Sequence, residues 1–362
     1  MDRRSFLRTS AIGGAAAAST TLAAPLYAQG NRTLNLVTSV PDGFAIFDDA
    51  GQQVANYITE MTEGQITINK HPAGSLVGAF EVFDAVSSGQ ADMYHSADYY
   101  FLNQHPGFAF FTSVPFGMTG QEMANWYYHG GGSEQHDELA GLFNLKSFMA
   151  GSTAMQPGGW FNTEINSADD LQGLRFRMPG QGGQVLGRLG ASVQNIPGGE
   201  IYQALASGQI DGAEWIGPYA DERMGFQEVT SIYYTSGFHE PGSALTLGIN
   251  LDVYESFTDA QKQIVDAAAR ATYSTNLALS LSANGAALER LRSQGVELRE
   301  FSEDIWDAFG AAAAEVREEN MSDPIYAQIA ESYFASMEQS ASWYEIGDAE
   351  YMRQRNRVNA SM

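Results

Sequence analysis

Hydrophobic residues first recur with a period of two. Residues 33–40 alternate apolar and polar side chains and predict an opening strand, ended by Pro41-Asp42-Gly43. The period then lengthens. Phe44, Phe47, Val54, Ile58 and Met61 fall on one helical face, predicting a helix over 44–61. A strand follows over 65–70, a helix over 80–86 and a strand over 91–95. This alternation predicts a parallel sheet with crossover helices, and such sheets bind ligands beyond the carboxyl ends of their strands. The ends at 41–44 and at His95-Ser96-Ala97-Asp98-Tyr99-Tyr100 are expected to face one cleft.

The aromatic segment 104–120 reads as core packing, and 121–128 as a helix. Gly130-Gly131-Gly132 breaks that helix, and Ser133 is expected to cap the next. From Gly151 the rhythm starts again. A turn at 156–161 leads into a strand; strands over 174–178, 191–196 and 210–216 then enclose helices over 182–189 and 200–207. A second sheet is the expected result. Residues 231–234 and 244–250 look like strands crossing back. Helical periodicity without proline then covers 259–292. At 1.5 Å per residue that is about 50 Å, longer than one lobe is wide, so it must brace both lobes or pack against another subunit. A strand over 296–301 and helices from Ser302 onward complete an α/β chain of two lobes with a long inter-lobe helix and a helical C-terminus.

The N-terminus stands apart from this pattern. Arg3 and Arg4, a mildly apolar run from Ala11 to Ala24, and Leu26-Tyr27-Ala28 form a twin-arginine leader cleaved after Ala28. The expected organisation is a leader over 1–28 and a first lobe over 29–150 with returning segments from 250–300. The second lobe covers 151–249, and the bracing helix and helical C-terminus cover 250–362. The leader predicts a soluble protein in the periplasm, exported by the twin-arginine route.

Charge narrows the partners. The chain has 19 Lys and Arg against 43 Asp and Glu, a net −24. Such a surface repels nucleic acid and anionic lipid, so an anion site here must be a local positive or metal-bearing pocket. With no cysteine, disulfides and thiolate metal sites are excluded.

Candidate chemistry sits at predicted strand ends. Asp211-Gly212-Ala213-Glu214-Trp215-Ile216-Gly217-Pro218 carries a carboxylate inside an apolar run, and burying it alone costs several kcal/mol. Glu240 follows in Phe238-His239-Glu240-Pro241-Gly242, and Arg177 ends a strand before Met178-Pro179-Gly180. An arginine there can grip a carboxylate with two parallel hydrogen bonds, or can pair structurally with Glu214 or Glu240. Arg175 points to the same side. Glu214, Glu240, the Gln156 amide oxygen and the Trp215 carbonyl are hard donors suited to calcium or sodium and not to zinc or copper. One arginine, two glutamates and a bound carboxylate leave a doubly negative pocket, which a divalent cation neutralises. A protonated or solvated glutamate would also lower the cost. His95 and His239 each adjoin a proposed cleft residue, and each reads as a packed or surface residue before a ligand. An acid/base pair of Glu214 and Glu240 in a periplasmic glycoside or ester hydrolase is the alternative, and it leaves Arg177 without a role.

These residues also carry a resemblance. Gly158-Gly159-Trp160-Phe161, Leu174-Arg175-Phe176-Arg177-Met178-Pro179-Gly180, Ile196-Pro197-Gly198-Gly199-Glu200 and the two glutamate segments resemble the solute-binding proteins of tripartite ATP-independent periplasmic (TRAP) transporters. Within that family the chain is most similar to the branch that binds monocarboxylates such as 2-oxo acids and lactate. The resemblance implies a Venus-flytrap fold with a hinge and a membrane permease as partner. It implies Arg177 on the ligand carboxylate, and Gln156, Glu214, the Trp215 carbonyl and Glu240 on a bridging calcium or sodium ion. Phe44, His95, Ser96, Tyr99 and Tyr100 would complete the pocket. Trp215, where dicarboxylate relatives favour a polar side chain, implies a small or apolar ligand tail. Dimers built through extended helices occur in the branch, so a homodimer is a further expectation.

Overall fold

The computed structural model describes residues 31–362; the expected leader, 1–28, lies outside them. In chain order its strands are β1 (Arg32–Thr38), β2 (Ile66–His71), β3 (Met93–Ser96), β4 (Leu145–Ala154), β5 (Gly159–Phe161), β6 (Arg175–Arg177), β7 (Ser192–Gln194), β8 (Gly212–Ala213), β9 (Ile232–Tyr234), β10 (Ser243–Asn250) and β11 (Glu297–Arg299). They form a five-stranded sheet, β2-β1-β3-β10-β4, and a six-stranded sheet, β11-β9-β5-β8-β6-β7.

β1 pairs in parallel with β2 and β3, and β6 with β7 and β8, as strand–helix alternation predicts. Neither sheet is wholly parallel. β10 runs antiparallel to β3 and β4, and β5 antiparallel to β8 and β9. β10 arrives from the other lobe and enters the first sheet from its opposite end. β4 has no counterpart among the expected strands. Nine of its ten residues are buried, many of them small, so it shows no alternation to read.

Two segments fall across the expected boundaries. β10, placed in the second lobe at 151–249, belongs to the first sheet, and β11, expected to return to the first lobe, pairs with β9 in the second. The long helix explains the second shift. It runs Asp259–Ser293, about 52 Å at 1.5 Å per residue, so it delivers the chain to the far lobe. Thr258 starts it by accepting a hydrogen bond from the Gln261 amide at 3.2 Å, worth about 1 kcal/mol. It packs on β4 and the helix Phe47–Met61 of the first lobe, and on the helix Pro218–Met224 of the second. Buried Asn276 donates to the Ile46 carbonyl at 2.9 Å and accepts from the Ser152 amide at 2.8 Å. Farther along, Asn284 accepts from the Tyr219 amide at 3.0 Å and Arg290 pairs with Glu222 at 2.6 Å. The helix therefore braces both lobes.

The aromatic segment forms a buried 3-10 turn, Pro106–Phe111, so core packing is correct there. Ser133 does not cap a helix. Gly131, at φ 88°, precedes the helix Gly132–Gly141, and the Ser133 hydroxyl donates to Glu134 within the first turn. The helix Glu303–Glu319 covers the second lobe, with Phe309 stacked on Phe238 at 4.0 Å. The helix Pro324–Tyr344 covers the first, with Tyr333 against Phe110 at 5.2 Å. No described helix is long and apolar enough to cross a membrane.

Candidate anion and metal site

Arg177 ends β6 and is 1% exposed. Its Nε donates to the Ile196 carbonyl at 3.0 Å and its Nη1 to the Glu214 carbonyl at 3.1 Å. Nη1 also pairs with Glu214 Oε1. Nη2 is buried without a hydrogen-bond partner. The guanidinium lies 5.4 Å from the Trp215 ring centroid, a cation–π contact. Arg175 shares its side of the strand but lies at the exposed edge, where it pairs with Asp211. The two arginines differ in depth along one strand, which spacing does not reveal.

The expected strand over 210–216 is only the two residues of β8. Glu214 leaves the ladder just past its end, with its own amide donating to the Arg177 carbonyl at 3.2 Å. Glu240 and Gln156 face it from the two crossings between lobes. These crossings are tied together: the Gln156 amide donates to the Glu240 carbonyl at 3.0 Å, and the Gly237 amide to the Gln156 carbonyl at 2.9 Å. Gln156 Nε2 donates to Glu240 Oε2 at 2.6 Å and to Thr153 Oγ1 at 3.0 Å, and Ser243 Oγ donates to the same Glu240 oxygen at 2.5 Å. These bonds orient the amide. They leave Gln156 Oε1, Glu240 Oε1 and Glu214 Oε2 buried without a partner.

Burial pushes the Glu214 carboxyl up to about 7 against the pull of Arg177. Burial pushes Glu240 up to about 7 as well, and the neighbouring Glu214 charge adds to it. His239 is drawn into the same place. Single ligand atoms of Glu214, His239 and Glu240 lie within 4.8 Å of one another. Burial lowers the His239 imidazole to about 4, so it is neutral, and its Nε2, 3.6 Å from Glu214 Oε2, forms no ion pair. Three buried, unpartnered oxygens from two glutamates and an amide fit a hard cation such as calcium or sodium.

The first lobe supplies the cover. Phe44 meets Trp215 edge-on at 6.0 Å and Phe47 stacks on it at 6.5 Å. Tyr99 and Tyr100 are both buried. Burial raises the Tyr100 phenol to about 12 although Arg177 pulls it down, and burial raises Tyr99 with Glu240 and Glu214 adding to it. Both tyrosines therefore sense the site's charges. Outside them a groove of about 530 Å³ opens between the lobes, floored by Met178 and Gly180. Gly180, at φ 65°, lies under Tyr99, where a Cβ would approach the ring to 3.2 Å. A Cβ on Gly198 would run into the Trp215 ring. His95 is fully buried in β3; its Nε2 donates to the Ala150 carbonyl at 2.9 Å, and its ring meets Phe47 at 5.8 Å. Both contacts lie in the first lobe, where His95 backs Phe47. The Ser96 hydroxyl bonds that of Ser39 at 2.5 Å.

Reading the sequence missed His239 as a site group, and it missed Asp221. The buried Asp221 carboxylate accepts from the amides of Ile216 at 3.1 Å and Gly217 at 2.9 Å, from Trp160 Nε1 at 2.9 Å and from the Tyr233 hydroxyl at 2.8 Å. It thereby holds the loop that carries Glu214 and Trp215. The signal was local: an acidic residue in the first turn of a helix that opens on Pro218.

Comparison with known proteins fits this geometry. The profile of the bacterial extracellular solute-binding protein family 7 (DctP) matches residues 36–323. A monocarboxylate 2-oxoacid-binding periplasmic protein of Nostoc sp. is 38% identical, covering 97% of this chain and 98% of its own. A TRAP transporter solute-binding protein from Bordetella bronchiseptica superposes with a TM-score of 0.89 at 30% identity, over 92% of this chain and 99% of that one; it is a mixed-occupancy dimer with a calcium- and picolinate-bound active site and an apo site. A TRAP periplasmic solute-binding protein from Pseudoalteromonas atlantica, with bound sodium and pyruvate, superposes with a TM-score of 0.86 at 36% identity, over 89% and 99%. With its two lobes and its buried arginine and oxygen cluster, the chain belongs to the DctP family of extracellular solute-binding proteins, receptors of transporters rather than enzymes.

Proposed function

We propose that this protein captures a small organic monocarboxylate, a 2-oxo acid or a lactate-like acid, outside the cytoplasmic membrane and delivers it to a TRAP permease. One observation carries the reading. Arg177 Nη2, Gln156 Oε1, Glu214 Oε2 and Glu240 Oε1 are buried together, each without a partner. A carboxylate on Arg177 and a cation on the oxygens would satisfy all of them. In this reading Gln156, Glu214, the Trp215 carbonyl and Glu240 hold calcium or sodium. Trp215, Phe44, Tyr99 and Tyr100 enclose the ligand body, and His95 supports Phe47 behind them. The small apolar cover favours a short tail. Relatives that carry pyruvate with sodium, or picolinate with calcium, support the same pairing of acid and cation. The hydrolase alternative gains no support, since the family binds its solutes and Glu214 is tied to Arg177.

Calorimetry with pyruvate tests this. Wild type should bind with calcium or sodium present and lose affinity after chelation, and Arg177→Ala should not bind at all. Unchanged affinity in Arg177→Ala would remove the arginine from the site. Unchanged affinity without metal, together with no calcium or sodium by elemental analysis, would remove the ion.

Two further readings belong here. Arg3 and Arg4 support export by the twin-arginine route. Replacing both with lysine should leave the precursor in the cytoplasm, and normal export of that variant would exclude the route. A homodimer is supported by the Bordetella relative, and by Trp343, Ile346 and Tyr351, each more than 60% exposed near the C-terminus.

A further inference from the structure

We propose that this chain holds a second small-molecule site, for a compact aromatic or branched aliphatic carboxylate, in the cavity between the helices Glu303–Glu319 and Pro324–Tyr344. The cavity measures about 180 Å³. A cavity of about 150 Å³ accepts benzene, so this one admits a single ring or a short branched chain. None of Arg177, Gln156, Glu214, Trp215 or Glu240 lines it.

Its chemistry is that of an amphiphilic anion site. Phe110, Phe116, Phe334 and Met337 give apolar walls. Two groups supply polarity at the wall. Gln181 is 4% exposed, and its Nε2 donates to the Tyr326 hydroxyl at 3.2 Å. The Arg317 guanidinium lies 4.6 Å from the Phe334 ring centroid. Its helix neighbours Glu315 and Glu319 are both engaged by Arg188, and Arg317 itself has no ion-pair partner among the described residues. In a chain with 43 acidic against 19 basic residues, an arginine left without a carboxylate beside an aromatic cavity is a natural seat for one from outside. A ring would pack on the phenylalanines while its carboxylate faced Arg317.

The position gives such an occupant a structural reach. Gln181 and the helix Glu303–Glu319 belong to the second lobe, Phe110 and the helix Pro324–Tyr344 to the first, so it would touch both. One wall is unusual in its backbone. Phe116 sits at φ 56°, a left-handed conformation that non-glycine residues rarely adopt, and its amide donates to the Phe238 carbonyl at 2.9 Å.

Benzoate is the probe. Protein with labelled methionine, alanine and valine methyls is titrated by NMR in the Arg177→Ala background, where the first site has lost its carboxylate fork. The methyls of Met337, Ala313 and Val114 should move and saturate. Arg317→Gln should weaken the binding by about tenfold or more, the worth of one charged hydrogen bond. Ala314→Trp, at an exposed helical position on the rim, should fill the cavity and abolish it. Methyls silent up to about 10 mM benzoate, or shifts that survive both substitutions, overturn the site. Shifts present in the wild type and lost in Arg177→Ala assign benzoate to the first site and overturn it equally. The titration does not depend on the first site, so its failure is distinct from failure of the 2-oxo acid reading.

Discussion

Arg177, Glu214 and Glu240 spend folding free energy on a place that water does not reach. Breaking one partner out of a buried pair typically costs about 3–5 kcal/mol, so these residues are tolerable only where bonds satisfy them. Arg177 finds two carbonyls and a carboxylate, Glu240 an amide and a hydroxyl. His95 shows the same cost as a pH dependence. Burial lowers its folded value to about 4 from an ordinary 6.5. The unfolded chain therefore takes up the proton first. Stability is fully present above pH 6.5 and is lost as pH falls toward 4, by about 3 kcal/mol if the whole shift is expressed. Denaturant unfolding at pH 7.5 and pH 4.5 should show a smaller difference in His95→Gln than in the wild type. An equal difference would assign the acid sensitivity to other groups.

At the scale of elements, the long helix Asp259–Ser293 does more than join the lobes. Its Asn276 holds the Ile46 carbonyl, and Ile46 sits at φ 70°, an uncommon conformation for a β-branched residue. That turn lies between Phe44 and Phe47, the two rings laid on Trp215. The helix thus holds, through one side-chain amide, the turn that lays both rings on Trp215, the cover of the proposed ligand site. Asn276→Ala takes the side-chain acceptor from the buried Ser152 amide, at about 1–3 kcal/mol, and leaves the Ile46 carbonyl with the Ala50 amide at 3.1 Å as its remaining donor. Denaturant titration should show a loss of about 1–3 kcal/mol, with weaker acid binding by calorimetry. A loss below about 0.5 kcal/mol would mean that the turn stands without the helix.

At the scale of the whole molecule, two lobes meet over a site that neither completes. Arg177 and Glu214 come from the second sheet, Phe44, Tyr99 and Tyr100 from the first lobe, and Gln156 and Glu240 from the crossings between them. Under the proposed function, binding and lobe closure are coupled, because contacts from both lobes to one ligand require the lobes to be together. The C-terminal helix Glu350–Asn359 buries none of its residues, whereas the two helices before it cover the lobes. Removing residues 345–362 from the proposed homodimer should give a monomer by sedimentation that still binds pyruvate. A dimer that persists would place the interface elsewhere.

Much of this was legible in the residues themselves. Period and turn chemistry located most strands and the long helix, and put Arg177 and the two glutamates near strand ends, because those signals act over a few neighbouring residues. A carboxylate in an apolar run pointed to a partner for Glu214, either a cation or a proton, and the resemblance added Gln156 and Glu240 as donors. Tertiary structure decided the rest. It made β4 a strand without alternation, sent β10 and β11 to the opposite sheets, and brought Asp221 under the Glu214 loop. It brought His239 beside the carboxylates. It also joined Arg177 to Glu214 across 37 positions while leaving one nitrogen and one oxygen of that pair buried without a partner. Which of two strands lies next to a third, and which oxygen of a carboxylate is already bonded, depend on contacts between residues far apart in the chain. No local period records them.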